Sequence, residues 1–175
     1  MANSKQKGNR GEREVVKLLK EYWDSKDFMK SPESGAMSTM MEGRAPADIV
    51  ARLAGDILGP ADFPFCVESK LYKEIDLWGI IRNPRASDIG KWWVQCSEDA
   101  DRVGKVPLLT FREDRKKRFA AVRQSDYDKL NMLRSCERGT GFGISVRLNG
   151  SIIRIMNWDH FTEAFPKDEV LKEWN

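Results

Sequence analysis

The run Phe63-Pro64-Phe65-Cys66-Val67-Glu68-Ser69-Lys70 restricts the fold more than any other segment, because it has the length and apolar character of a buried strand and yet ends in two opposite charges. Alternate residues of a strand share a face, so Glu68 lies with Cys66 and Lys70. A carboxylate there forfeits hydration worth several kcal/mol unless it is paired, bound to a cation or protonated. A second apolar run, Ala47-Asp48-Ile49-Val50-Ala51-Arg52, poses the same problem, with Asp48 on the face of Val50 and Arg52.

A divalent cation answers both demands. Asp48 and Glu68 are suited to ligate one magnesium ion, with the backbone carbonyl of Ser69 as a third oxygen and places left for water and a phosphate. Lys70, two residues beyond Glu68, projects from the same face at about 7 Å. An ammonium at that distance reaches both an attacking water and a scissile phosphate. An aspartate followed roughly twenty residues later by Glu-x-Lys therefore suits metal-assisted phosphodiester hydrolysis.

The spacing of Val15, Val16, Leu19, Tyr22 and Trp23 predicts a helix from about Gly8 to Trp23. Glu12 falls on the same core-facing stripe, which is an unusual place for an acid, and from there it is able to orient metal-bound water or hold a second ion. Beyond it, a short apolar piece around Phe28 precedes a loop rich in Ser, Gly, Met and Pro. A helix is expected over 87–103, with Ile89, Trp92, Trp93 and Cys96 on one side. A strand pair follows at 106–111 and 118–122, then a helix at 125–133. A final hairpin turns on Asn149-Gly150. This order predicts an α/β sheet in two or three layers, with a C-terminal extension from about residue 124.

Composition narrows the partners only slightly. The chain has 175 residues, 41% hydrophobic and 33% charged, in keeping with one soluble globular domain. Its formal charge of +3 is too small to identify a nucleic-acid partner. The cations are clustered, however. Lys5, Lys7, Arg10 and Arg13 crowd the N-terminus, and Arg112, Arg115, Lys116, Lys117 and Arg118 crowd a later stretch. Three scattered cysteines and a single histidine make a disulfide framework or a zinc site improbable. Any metal must then be held by carboxylates, which favours magnesium, with manganese able to substitute. No apolar run reaches the roughly 18 residues of a membrane helix, and the first residues hold no signal-type stretch. The expected location is the cytoplasm, or that of a host cell if the chain is phage-encoded.

Four motifs occur in order: Lys7-Gly8-Asn9-Arg10-Gly11-Glu12-Arg13, Ser31-Pro32-Glu33-Ser34-Gly35, Ala47-Asp48-Ile49-Val50-Ala51 and Val67-Glu68-Ser69-Lys70. Together they resemble the PD-(D/E)xK nuclease superfamily, and within it the archaeal-type Holliday junction resolvases, which also occur in phages. The resemblance covers roughly residues 5 to 122. It implies a restriction-endonuclease-like core over residues 1–123, with a mixed central β-sheet flanked by helices, and an α+β extension over 124–175. It further implies metal binding by Glu12, Asp48 and Glu68, catalysis by Lys70, and a loop serine, Ser34, that approaches the DNA backbone. Nicking of opposed strands of a four-way junction by a homodimer would follow. Lys5, Lys7, Arg10, Arg13, Ser34 and Arg44 are then the expected DNA contacts. The sequence departs from the pattern in having Ala47 where a proline is usual before Asp48, and in the long connection between the two acidic strands.

Other residues have plainer readings. Trp92 and Trp93 suit a core or dimer contact better than base stacking. Gln95 is compatible with the helix glutamine of such nucleases, and His160 with an ordinary packing role. A restriction-type or repair nuclease on the same core, and a non-catalytic DNA-binding module, are the competing functions. An intact set of acids and lysine argues against the latter.

Overall fold

The computed structural model describes residues 4–32, 43–44, 46, 54–131, 143–148 and 150–174. In chain order these form α1 (Ser4–Trp23), β1 (Met29–Lys30), β2 (Ile57–Leu58), β3 (Phe65–Tyr72), α2 (Gly79–Arg82), α3 (Asp88–Arg102), β4 (Val106–Glu113), β5 (Phe119–Arg123), α4 (Gln124–Asn131), β6 (Gly143–Leu148), β7 (Ser151–Asn157), α5 (Trp158–Ala164) and α6 (Lys167–Trp174). The seven strands make one sheet in the order β1-β2-β3-β4-β5-β7-β6. It is mixed: β3 and β4 run parallel, and every other neighbouring pair is antiparallel. The parallel pair requires a crossover, which α2 and α3 provide.

Period-two alternation divides the strands between two cores. Phe65, Val67, Leu108, Ala120, Val122 and Met156 face α1 and the C-terminal helices. Leu109, Phe111, Ala121, Ile153 and Ile155 face α3. Helices therefore cover both faces of the sheet, giving the mixed-sheet α/β fold expected of a PD-(D/E)xK nuclease. On α1, Val15, Leu19 and Trp23 are fully buried at the helical spacing seen in the sequence. The helix begins at Ser4, four residues before the expected start, which leaves Gly8 and Gly11 inside it. Helix α3 starts where the Ser87 hydroxyl accepts a hydrogen bond from the Gly90 amide at 2.9 Å, and it buries Ile89, Trp92, Trp93, Cys96 and Ala100. Trp92 and Trp93 thus belong to the core.

The residues from 124 onward complete both the sheet and one core. Strand β7 pairs with β5 along its length, and β6 pairs with β7 through a turn at Gly150, whose φ of +85° favours glycine. Phe161, Phe165 and Val170 are fully buried against Val15, Leu19 and Trp23. Rings of Phe28, Phe63 and Trp23 meet edge-on at 4.9–5.1 Å, and Phe65 meets Phe161 at 5.8 Å. Each buried aromatic contributes on the order of 2 kcal/mol through area removed from water. The Tyr22 hydroxyl sits in this cluster, donating to the Phe165 carbonyl oxygen at 2.5 Å, and burial raises its pKa far above the usual phenol range. Cys66 and Cys96 are buried free thiols, and burial pushes Cys66 up to about 12. Among the described residues no helix is long and apolar enough to cross a membrane.

Candidate active site

The site forms where β2 stops. Only Ile57 of β2 pairs with β3, at Val67. The chain before β2 continues the contact by a different device: the Asp56 amide donates to the Val67 carbonyl at 2.8 Å, and the Asp56 carboxylate accepts from the Ser69 amide at 2.9 Å. Asp56 thereby occupies the edge of β3 with its backbone and its side chain at once. Gly55 makes this possible. Its φ is +81°, and a Cβ there would stand 2.6 Å from the Val67 carbonyl oxygen. Gly55→Ala is accordingly expected to cost about 1–3 kcal/mol and to displace Asp56. Urea unfolding checks the first part, and the cutting rate per folded molecule checks the second. A stability change below about 0.5 kcal/mol would contradict this account.

Asp56, Glu68, Lys70 and Glu12 all line one pocket of about 480 Å³, together with Gly8, Ser69, Tyr72, Lys73 and Gln95. Glu68 is only 4% exposed and Asp56 6%. Burial raises the Asp56 pKa to about 7, and the negative charges of Glu68 and Glu12 add to the effect against the Ser69 hydrogen bond and Lys70. Burial likewise raises Glu68, although Lys70 opposes it by charge and by a short hydrogen bond to Glu68 Oε1. For Lys70 itself burial acts downward, but the Glu68 and Asp56 charges outweigh it and the ammonium is held above its ordinary range.

Glu12 reaches the pocket from the opposite side. Gly11 lets α1 lie close on β3, since a Cβ there would stand 2.8 Å from Leu71 Cβ. The Glu12 carboxylate pairs with Lys30 of β1 at 2.9 Å, and Lys30 also donates to Asn9. Two residues along, Glu14 is held by Arg112 of β4 through contacts of 2.7–3.0 Å, and lies 3.4 Å from the buried Arg118. Arg118 donates to the Thr110 hydroxyl, which donates to the Glu68 carbonyl, both at 3.3 Å. A polar chain thus links the helix carrying Glu12 to the strand carrying Glu68. Burial, with Arg112 nearby, lowers the Arg118 pKa to about 10 against the pull of Glu14.

The donor set fits a divalent cation. The Glu68 charge adds to burial in raising Asp56, and the lysine of the pocket is bonded to Glu68, so a cation reaching both acids would relieve charge that Lys70 alone does not. Among the described residues no group of three or more His, Cys, Asp or Glu stands ready to hold a metal ion. Within the described residues, Glu12 and the backbone carbonyl oxygen of Ser69 are further oxygens at this pocket, and water would complete the shell.

Of the residues singled out in the sequence, Glu12, Glu68, Ser69, Lys70 and Gln95 come together here. Asp48 and Ser34 lie outside the described residues, as do the side chains of Lys5 and Lys7. Arg13 and Arg44 are exposed. Arg10 pairs with Asp114 and with Glu14 at 3.7 Å. His160 lies in α5, with Nδ1 3.7 Å from Glu163. Asp56 was not among the sequence candidates. Its signal was available in Gly55-Asp56-Ile57-Leu58, an acid placed before an apolar pair at hairpin distance from Glu68.

A family model described as "Phage putative PDDEXK endonuclease" matches residues 3–172. Protein D14 of Escherichia phage T5 is 31% identical over 128 residues, covering 71% of this chain and 73% of that protein. No solved structure matches.

Proposed function

Since the chain belongs to the phage PD-(D/E)xK endonuclease family, we propose that it is a magnesium-dependent DNA endonuclease that acts on branched DNA, four-way junctions first, as a homodimer. The observation that carries the nuclease part of this reading is the convergence of Asp56, Glu68, Lys70 and Glu12 on one pocket. The junction preference, the dimer and a DNA-contacting role for Ser34 rest on the motif resemblance to the resolvases. Action in the cytoplasm of a host cell accords with the similarity to a phage T5 protein.

Asp56 and Glu68 would hold the magnesium ion, which supplies charge neutralisation at the phosphate and lowers the pKa of water. Lys70 keeps its proton because two acids surround it. Its Nζ bonds Glu68 through one hydrogen and has others to offer a phosphate oxygen, where charge grows as water attacks phosphorus. Glu12, steadied by Lys30, accepts a hydrogen bond from the attacking water and sets its direction. The chain Glu14–Arg118–Thr110 holds these two carboxylates in register from behind.

The test is a panel of end-labelled four-way junction, flap and linear duplex DNAs incubated with the protein and magnesium. Symmetric nicks across the junction are expected, with little cutting of duplex. Cutting of linear duplex at a fixed sequence would replace the junction reading with a restriction-type one. Binding without cutting of any DNA in magnesium or manganese would remove the nuclease assignment.

A further inference from the structure

We propose that Trp78 is a base-stacking residue, receiving an unpaired base of the DNA whose backbone lies in the Asp56–Glu68–Lys70 pocket. The inference rests on the nuclease reading and assigns to the protein a contact with bases. Trp78 is 71% exposed, the most exposed large apolar side chain among the described residues. It is nonetheless held on a rigid knuckle. Ile75 is buried and Leu77 packs on the same core beside α3. The Ile75 amide donates to Glu113 at 3.2 Å, and Asp76 accepts from the Gly79 amide at 2.9 Å and from Arg82 at 2.7 Å. The Trp78 carbonyl accepts from the amides of Ile81 and Arg82 at 3.1 and 3.0 Å. Backbone and neighbours thus fix the residue, while nothing in these contacts uses the indole.

Three observations favour DNA as its occupant. The knuckle continues directly from β3, whose last residue Tyr72 and the following Lys73 line the catalytic pocket. Five residues of chain keep the Trp78 Cα within about 18 Å of that of Lys73. Tyr72 already marks an aromatic path out of the pocket, since it is 45% exposed and lies against Trp92 with ring centroids 4.8 Å apart. Exposed Lys73, Arg82 and Arg85 lie close to Trp78 along the chain, although Glu74 and Asp76 share the knuckle and Asp76 engages Arg82. An exposed ring on a hydrogen-bonded backbone, with cations nearby in the chain and a phosphodiesterase pocket within reach, has the chemistry of a single-strand stacking platform. Bases within a duplex already have both faces covered, so only a base at a branch or flap can take this one. Ile81, one turn on and 50% exposed, widens the apolar seat.

The test compares wild type, Trp78→Ala and Trp78→Phe as full chains in magnesium-free buffer, where binding is read without cutting. Probes are a four-way junction, a flap and a linear duplex, the first two with 2-aminopurine beside the branch. Trp78→Ala is expected to weaken binding to the branched probes about tenfold and to abolish quenching of 2-aminopurine, with duplex binding unchanged. Trp78→Phe should stay within about threefold of wild type. Equal binding of all probes by wild type and Trp78→Ala would overturn the proposal, as would an equal loss on every probe. Unchanged DNA affinity with a shift from dimer to monomer in sedimentation would make the indole a contact between copies instead. A wild type that binds with quenching but never cuts would sink the nuclease reading alone.

Discussion

Asp56→Asn is expected to slow DNA cutting by about a hundredfold to a thousandfold while leaving DNA binding intact or slightly tighter. The amide keeps the size of the carboxylate and one oxygen to accept from the Ser69 amide, so the local fold survives. It removes one of the two buried charges that would hold the metal, and with it a repulsion toward DNA phosphates. Asp48→Asn, made in parallel, ranks the two acids by their effect on cutting. Gel-based cleavage and fluorescence anisotropy on one junction provide both numbers. Wild-type cutting by Asp56→Asn would remove this acid from the site.

The metal-free protein should lose stability as pH rises from about 4 to about 7, by a few kcal/mol from Asp56. Folded Asp56, with a pKa near 7 against an ordinary 3.8, holds a proton over this range that the unfolded chain releases. The folded state then binds more protons than the unfolded one, so the free energy of unfolding falls as pH increases. Glu68 is raised as well and acts in the same direction. Lys70 has the opposite charge type: its raised pKa gives stability that is complete below the ordinary lysine value and disappears only in alkali. Other carboxylates are separated out by subtracting the profile of Asp56→Asn, which lacks this slope. At about pH 8, millimolar magnesium should raise the Tm of wild type by stabilising the ionised pair, and should do so far less in the variant. Identical pH profiles for the two proteins, and a Tm indifferent to magnesium in both, would contradict the buried acid pair.

Elements whose own periodicity is strong were legible in the sequence. The stripe through Val15, Leu19 and Trp23 located α1, and the apolar face through Ile89, Trp92, Trp93 and Cys96 located α3 to within one residue at each end. The charged end of β3 gave Glu68 and Lys70, and the misplaced acid on α1 gave Glu12. Local pattern failed where structure is set by contacts elsewhere. Strand β2 is two residues long and is joined to β3 by one residue pair, too little for a period of two to register. Asp56 therefore falls in the long connection between the two acidic strands, although its side chain bonds the backbone of β3. Helices α5 and α6 are seven and eight residues long on either side of Pro166, and they owe their order to the aromatic cluster they close.

That cluster also ties the site to residues distant in the chain. The underside of α1, which carries Glu12, rests on Phe161, Phe165 and Val170, and Lys167 donates to the Trp23 carbonyl at 2.7 Å. Partners of the first helix therefore lie far along the chain, Lys167 being 144 positions from Trp23. The floor beneath the helix that carries Glu12 is thus supplied from α5 and α6. Shortening the chain within α6 is therefore expected to loosen the seat of Glu12 while β3, which carries Glu68 and Lys70, keeps its pairing with β4.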